Sequence, residues 1–347
     1  MFVGAPLSIL LVLAFATPPA AQGPGPGRWL GMIATSLGTG SVNRCIPDVN
    51  LAFSTLEDRG VVHGFRYAGS PALDGVFRHF QGITRLGRED ATWLAVSRSG
   101  SPNAVVLIGP AGVVAEIKAP QGLTHAGGIQ ALGSVLAVPY EHKQGQSRVV
   151  LYDVADPVRP RILYELDRSD VPEPSAPGHA SAVALARLAD GRLLMIVGVR
   201  SSKVLDFYVS NHADLAAPGL AFTRVGTLED ATEGRFQSHN LVTQCDGTLY
   251  FVGAYNTGFP APSHGNDRLR WYRVGSSWDG GIALTEEGSR KIDCQRCNFG
   301  AAAGVFVTGD GELVLYGIEH GGSRTARTML YEEFRARSSQ PTAPTGG

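Results

Sequence analysis

The sequence predicts an all-β chain folded as a β-propeller of five four-stranded blades, and three observations predict it. Short apolar segments rich in Val, Ile, Leu and Tyr follow one another in groups of four, each group bounded by Gly, Pro, Asp and Ser. Asp-Gly dipeptides fall between the first and second segment in three of those groups, at Asp190-Gly191, Asp246-Gly247 and Asp310-Gly311. This is a strong short-hairpin signal, because Gly tolerates the positive φ that such turns need. No stretch sustains the apolar period of about 3.6 residues that an amphipathic helix would show. Composition agrees: 44 glycines and only 18% charged residues fit many tight turns between buried strands.

The elements run as follows. The first unit has strands at 81–86, 93–97, 103–108 and 112–118. The second has 128–132 and 135–140, a hairpin about Gly133 and Ser134, then 148–154 and 161–166. The third has 182–188, 192–197, 203–209 and 221–228. The fourth has 241–245, 248–254, 268–274 and a weak strand at 282–285. The fifth offers 303–308, 312–318 and 328–334, and lacks an outer strand. Two spare N-terminal segments, 51–56 (LAFSTL) and 61–67 (VVHGFRY), can supply it, closing the ring and covering its exposed edge. Six blades is the alternative, if residues 30–78 form a blade of their own. A β-sandwich would leave the recurrent Asp-Gly hairpins without an account.

The ends and the cysteines place the chain in a compartment. Residues 1–22 read as a signal peptide, with the apolar run at 7–16 followed by small residues; it is too short for a membrane span. Residues 23–42 read as a flexible leader, 43–336 as the propeller and 337–347 as a disordered tail, in a secreted or periplasmic protein. Four cysteines, Cys45, Cys245, Cys294 and Cys297, allow three full pairings, and an oxidising compartment favours structural disulfides. Cys294 and Cys297 form a Cys-X-X-Cys, but no second such pair completes a zinc site and no βαβ context supports a redox motif. A formal net charge of −1 argues against nucleic acid or an anionic membrane as partner, and a monomer is expected.

Residues 149–163 (VVLYDVADPVRPRIL) resemble the LVIVD-type repeat of secreted bacterial propellers, in which an apolar strand ends in a D-V-x-D-P turn. The resemblance covers one unit and implies the propeller fold; it implies no activity.

In a propeller the first strand of each blade lines the axis, so the residues entering it and those leaving the second strand share one rim. His79, His125, His179 and His239 precede first strands at intervals of about one repeat, and the fifth unit has Asn298 and Phe299 there. The second-strand exits add Arg98; Tyr140, Glu141 and His142; Arg200; Tyr255 and Asn256; and Glu319 and His320. Convergence of these groups around a channel mouth predicts a site for an extracellular ligand, a glycan or a peptide. One alternative is a polysaccharide lyase or hydrolase. There His125 or His142 would act as base, Tyr140 as phenolic donor, Arg200 as charge clamp, and Glu141 or Glu319 as an acid if burial raises its pKa. Another is a transition metal held by the ring of histidines. The bland reading is that a histidine at a strand start hydrogen-bonds the next blade. No G-x-S-x-G, HExxH, P-loop or GxGxxG pattern is present.

Overall fold

The structure, a computed structural model, describes residues 44–67, 79–88, 91–99, 104–142, 145–171, 179–232, 236–257, 265–276, 281–319 and 328–336. The expected signal peptide, leader and C-terminal tail lie outside these residues, as does His320. The described chain begins with a short helix, α1 (Val49–Ser54), and a strand, β1 (Val61–Arg66). Blade 1 is β2 (His79–Arg85), β3 (Leu94–Ser99), β4 (Ala104–Gly109) and β5 (Gly112–Lys118). Blade 2 is β6 (His125–Ala126), β7 (Gln130–Leu132), β8 (Val135–His142), β9 (Gln146–Asp153) and β10 (Arg161–Asp167), with β6 and β7 as two halves of a broken inner strand. Blade 3 is β11 (Ala182–Arg187), β12 (Leu193–Val199), β13 (Val204–Ser210) and β14 (Phe222–Leu228). Blade 4 is β15 (Ser238–Thr243), β16 (Leu249–Asn256), β17 (Asp267–Ser276) and β18 (Ile282–Ile292). Blade 5 is β19 (Ala302–Val307), β20 (Leu313–Ile318) and β21 (Thr328–Arg335), with β1 added antiparallel to β21 as its outer strand. The result is a five-bladed propeller whose ring is closed by an N-terminal strand.

Period-two alternation builds the core. Along β12, Leu194 and Ile196 face blade 4, while Leu193, Met195 and Val197 face blade 2. Five apolar clusters fill the five blade interfaces in this way. No blade buries both faces alone, so each cluster exists only because a neighbour covers it.

The Asp-Gly turns form as read: Gly191, Gly247 and Gly311 have φ of 85°, 91° and 84°. The Asp190 and Asp246 side chains accept from Arg192 N and Thr248 N at 3.0 and 2.8 Å. Two elements differ from expectation. Residues 51–56 are mostly helix, because Asp48 caps α1 by accepting from Leu51 N at 2.9 Å, and Val49 and Phe53, four residues apart, bury one face. Phe53 stacks on Trp271 of blade 4, 5.1 Å between centroids, and a Cys45–Cys245 disulfide ties this segment to the same blade. The weak fourth strand is the 11-residue β18; its charged half faces solvent and pairs outward, as in Arg273–Glu287 at 2.8 Å.

Buried polar side chains cross the axis between the inner strands. Gln130 of β7 donates from Nε2 to Leu241 O at 2.9 Å, and its Oε1 accepts from Leu185 N and Leu241 N at 3.0 and 2.9 Å, so one buried amide joins blades 2, 3 and 4. Asn240 Oδ1 accepts from Val305 N at 3.0 Å, and Ser238 Oγ donates to Gln81 O at 3.2 Å. The inner strands approach so closely that a Cβ on Gly304 would lie 1.8 Å from Ile83 O.

Candidate functional site

The first-strand entries and second-strand exits do share a rim, as the register requires: His125 pairs with Glu141, His239 with Gly253, and Ala302 with Ile318. The strands reach further toward that rim than the sequence reading had them. His79 and His125 are first residues of β2 and β6, and His239 is the second residue of β15; His179 alone precedes its strand.

At the junction of blades 2 and 3 three of the expected residues come together. Glu141 projects from the end of β8 toward blade 3 and is one-fifth exposed. His125 Nδ1 lies 3.2 Å from Glu141 Oε1, at ion-pair distance but outside hydrogen-bond alignment. His179 Nδ1 lies 3.8 Å from Oε2, which also accepts from Ala180 N at 2.9 Å. Burial pushes the Glu141 carboxyl up, but contact with His125, the Ala180 N–H and His179 outweigh it and hold the group below its usual range. Both histidines keep open surface, with 30% of the His125 and 52% of the His179 side chain exposed.

Arg168, which sequence reasoning missed, fixes this junction from below. It follows β10, is fully buried, and pairs with buried Asp206 of β13 at 2.5 Å. It also donates to Tyr208 Oη at 3.1 Å, to Ser147 Oγ at 3.4 Å and to the His179 carbonyl. The guanidinium thus anchors the backbone that carries His179. The only sequence signal was a charged residue just past an outer strand, which usually means solvent.

Other expected residues are elsewhere. Tyr140 faces the opposite side of β8 from Glu141, is fully buried, and shares a hydroxyl contact with Tyr152 at 3.2 Å; burial pushes its phenol well up. It is no rim donor. His239 is buried against Phe251, with Nδ1 2.8 Å from Ser202 Oγ and Nε2 3.3 Å from Ile196 O. Burial holds its pKa down to about 4, so the ring is neutral. With both nitrogens engaged across the blade 3–4 interface, a four-imidazole metal centre does not form. Arg98 is fully buried. His142 is half-buried at the end of β8.

Arg200 is exposed and opens a run of three non-glycine residues in left-handed conformation, Arg200, Ser201 and Ser202, with φ of 52°, 57° and 63°. That strain is held where Ser202 meets His239. Asn256 is buried and donates to Asp267 at 2.9 Å, and Asn298 caps its own loop by accepting from Gly300 N at 2.7 Å. Phe299 is core, and its N–H donates to Asp267 at 2.7 Å. Tyr255 is half-buried between Phe236 and the Arg270 guanidinium. Glu319 accepts from Leu330 N at 2.8 Å, and burial raises its pKa.

No family profile matches the chain, and no curated protein matches it. Among solved structures, the GH32 beta-fructofuranosidase of Bombyx mori is similar at 13% identity, over 80% of this chain and 63% of that one, with a TM-score of 0.46. The GH43 beta-xylosidase/alpha-arabinofuranosidase CoXyl43 from a compost microbial metagenome is similar at 12% identity, over 79% and 95%, with a TM-score of 0.44. An exo-beta-1,3-galactanase from Phanerochaete chrysosporium is similar at 9% identity, over 82% and 65%, with a TM-score of 0.48. The chain thus spans under two thirds of the silkworm and fungal chains.

Proposed function

We propose that the protein binds an extracellular glycan at the blade 2–3 rim, through Glu141, His125 and His179. One observation carries this reading: a carboxylate below its usual pKa range, fixed by the Ala180 N–H and flanked by two part-exposed imidazoles from adjacent blades. A fixed carboxylate accepts from sugar hydroxyls, and imidazole ring nitrogens hydrogen-bond to them as well, so the three groups together match neighbouring hydroxyls. Glu141 and His125 sit on paired strand ends and Arg168 anchors the His179 carbonyl, so little ordering is needed on binding.

Acid–base catalysis is the second reading, favoured by the 3.2 Å approach of His125 to Glu141, which puts a carboxylate beside an imidazole base. Its phenolic donor is missing, because Tyr140 is buried. A glycan and peptide array, followed by product analysis of each hit, separates the readings. Binding predicts retained, unmodified glycan and graded affinity loss for His125→Ala and His179→Ala. Turnover that collapses with one of them supports catalysis, and peptide hits without glycan hits overturn the glycan reading.

A further inference from the structure

The two disulfides differ in kind. Cys45–Cys245 spans 200 residues and ties the N-terminal segment to blade 4, whereas Cys294–Cys297 spans three, in the connection from blade 4 to blade 5. Because loop-closure entropy grows with loop length, the short ring constrains the unfolded chain far less. It contributes correspondingly little to holding the fold, and needs another account.

Glu332 of β21 supplies one. Its residue is fully buried, an uncommon setting for a carboxylate. Oε1 accepts from the Arg296 N–H, inside the Cys-X-X-Cys loop, while Oε2 is buried without a hydrogen-bond partner. A buried carboxylate oxygen left so is an exception that calls for a missing partner. The Cys294 and Cys297 sulfurs and a Glu332 oxygen all lie within 4.8 Å of one another. Ile292, Phe299 and Phe334 belong to the same apolar cluster as the two cysteines. Strand β20 makes room by carrying glycine: a Cβ on Gly317 would lie 2.6 Å from Cys297 Sγ.

Two sulfurs and a carboxylate from a separate element form the donor set of a borderline-soft divalent cation. Zinc–sulfur and zinc–oxygen bonds of about 2.3 and 2.1 Å put tetrahedral donors about 3.6–3.8 Å apart, within the reach of this cluster once the S–S bond is open. We propose that Cys294, Cys297 and Glu332 form a redox-gated site for one zinc-class divalent cation, open to metal when the Cys294–Cys297 disulfide is reduced. A phosphine reductant supplies two electrons and is oxidised to its phosphine oxide with the oxygen of one water; the S–S bond breaks, and the two protons of that water complete the two thiols. Metal binding then releases both thiol protons and forms two metal–sulfur bonds, with Glu332 adding an oxygen and a fourth position left open.

The test treats the purified full chain anaerobically with a phosphine, removes the excess, locates free thiols by alkylation and mass mapping, and titrates Co2+. The expected result has Cys294 and Cys297 free before Cys45 and Cys245, and one equivalent of Co2+ giving intense near-ultraviolet thiolate absorption that Zn2+ abolishes. Cys294→Ser with Cys297→Ser removes the band, and Glu332→Gln of native circular dichroism weakens Co2+ at least about tenfold. The proposal is overturned by a folded chain with both thiols free and no band, by Glu332→Gln with unchanged affinity, or by unfolding before the pair opens. If Glu332→Gln does not fold, the titration of the unsubstituted chain decides. No rim ligand enters the test, so its outcome is separate from the glycan reading.

Discussion

The buried histidine of blade 4 gives the sharpest prediction. His239 is held neutral in the folded state, with its pKa lowered to about 4 by burial, while in the unfolded chain it titrates near its ordinary value of about 6.5. Below that value the unfolded state binds a proton that the folded state refuses, so stability falls as pH drops from about 6.5 toward 4. The full difference is about 3 kcal/mol, of which about 2 kcal/mol is already lost at pH 5. His239→Asn keeps an acceptor near Nδ1 for the Ser202 hydroxyl and removes the titration. It also removes the ring from Phe251, so the variant starts less stable at pH 7.5. Urea unfolding at pH 7.5 and pH 5 measures both proteins, and the other titrating groups cancel in the comparison. The stability gap should narrow by about 2 kcal/mol at pH 5. A gap of the same size at both pH values would refute the reasoning, because it would mean that the ring is protonated in place and the blade 3–4 interface is wet.

Three further outcomes follow from the same geometry. Arg168→Met should destabilise by about 3 kcal/mol, because it leaves the buried Asp206 to the longer Arg224 ion pair at 3.7 Å and the Thr227 hydroxyl, and in any folded fraction it should weaken rim binding through His179; chemical denaturation and ligand titration report the two effects. Tyr140→Phe should cost about 1 kcal/mol from the lost hydroxyl contact and leave ligand affinity unchanged, as calorimetry would show. Replacing Cys45 and Cys245 together by Ala should cost about 5 kcal/mol by the loop-entropy estimate, seen as a lowered urea midpoint.

Much of this fold was legible because propeller strands are short, alternate strictly and end in turns with demanding backbone angles. The Asp-Gly turns fixed where first strands end, and that in turn fixed the phase of blades 3, 4 and 5. Helix α1 was misread because its run is only six residues long; the Asp48 cap just ahead of it was the signal. The site was harder, because a rim residue one step along a strand faces the other way. On β8, Leu136, Val138 and Tyr140 face blade 1, while Val135, Ala137 and Glu141 face blade 3. The parity that sent Tyr140 inward was readable, but the sequence reading grouped it with Glu141 by position alone. For His239 no such rule was available, since its burial depends on Ser202 and Ile196 in another blade. Arg168 was invisible for the same reason: its counter-charge, Asp206, belongs to the next blade.

In the proposed site, Glu141 is the carboxylate that meets the ligand. Isothermal titration of the glycan selected by the array, against the unsubstituted protein and Glu141→Gln, tests it most directly. Gln keeps an acceptor for the Ala180 N–H, so the fold should hold. Affinity should fall at least about tenfold, as the loss of a charge-assisted hydrogen bond implies. Equal affinity in the two proteins, with the fold intact, would contradict the proposed site.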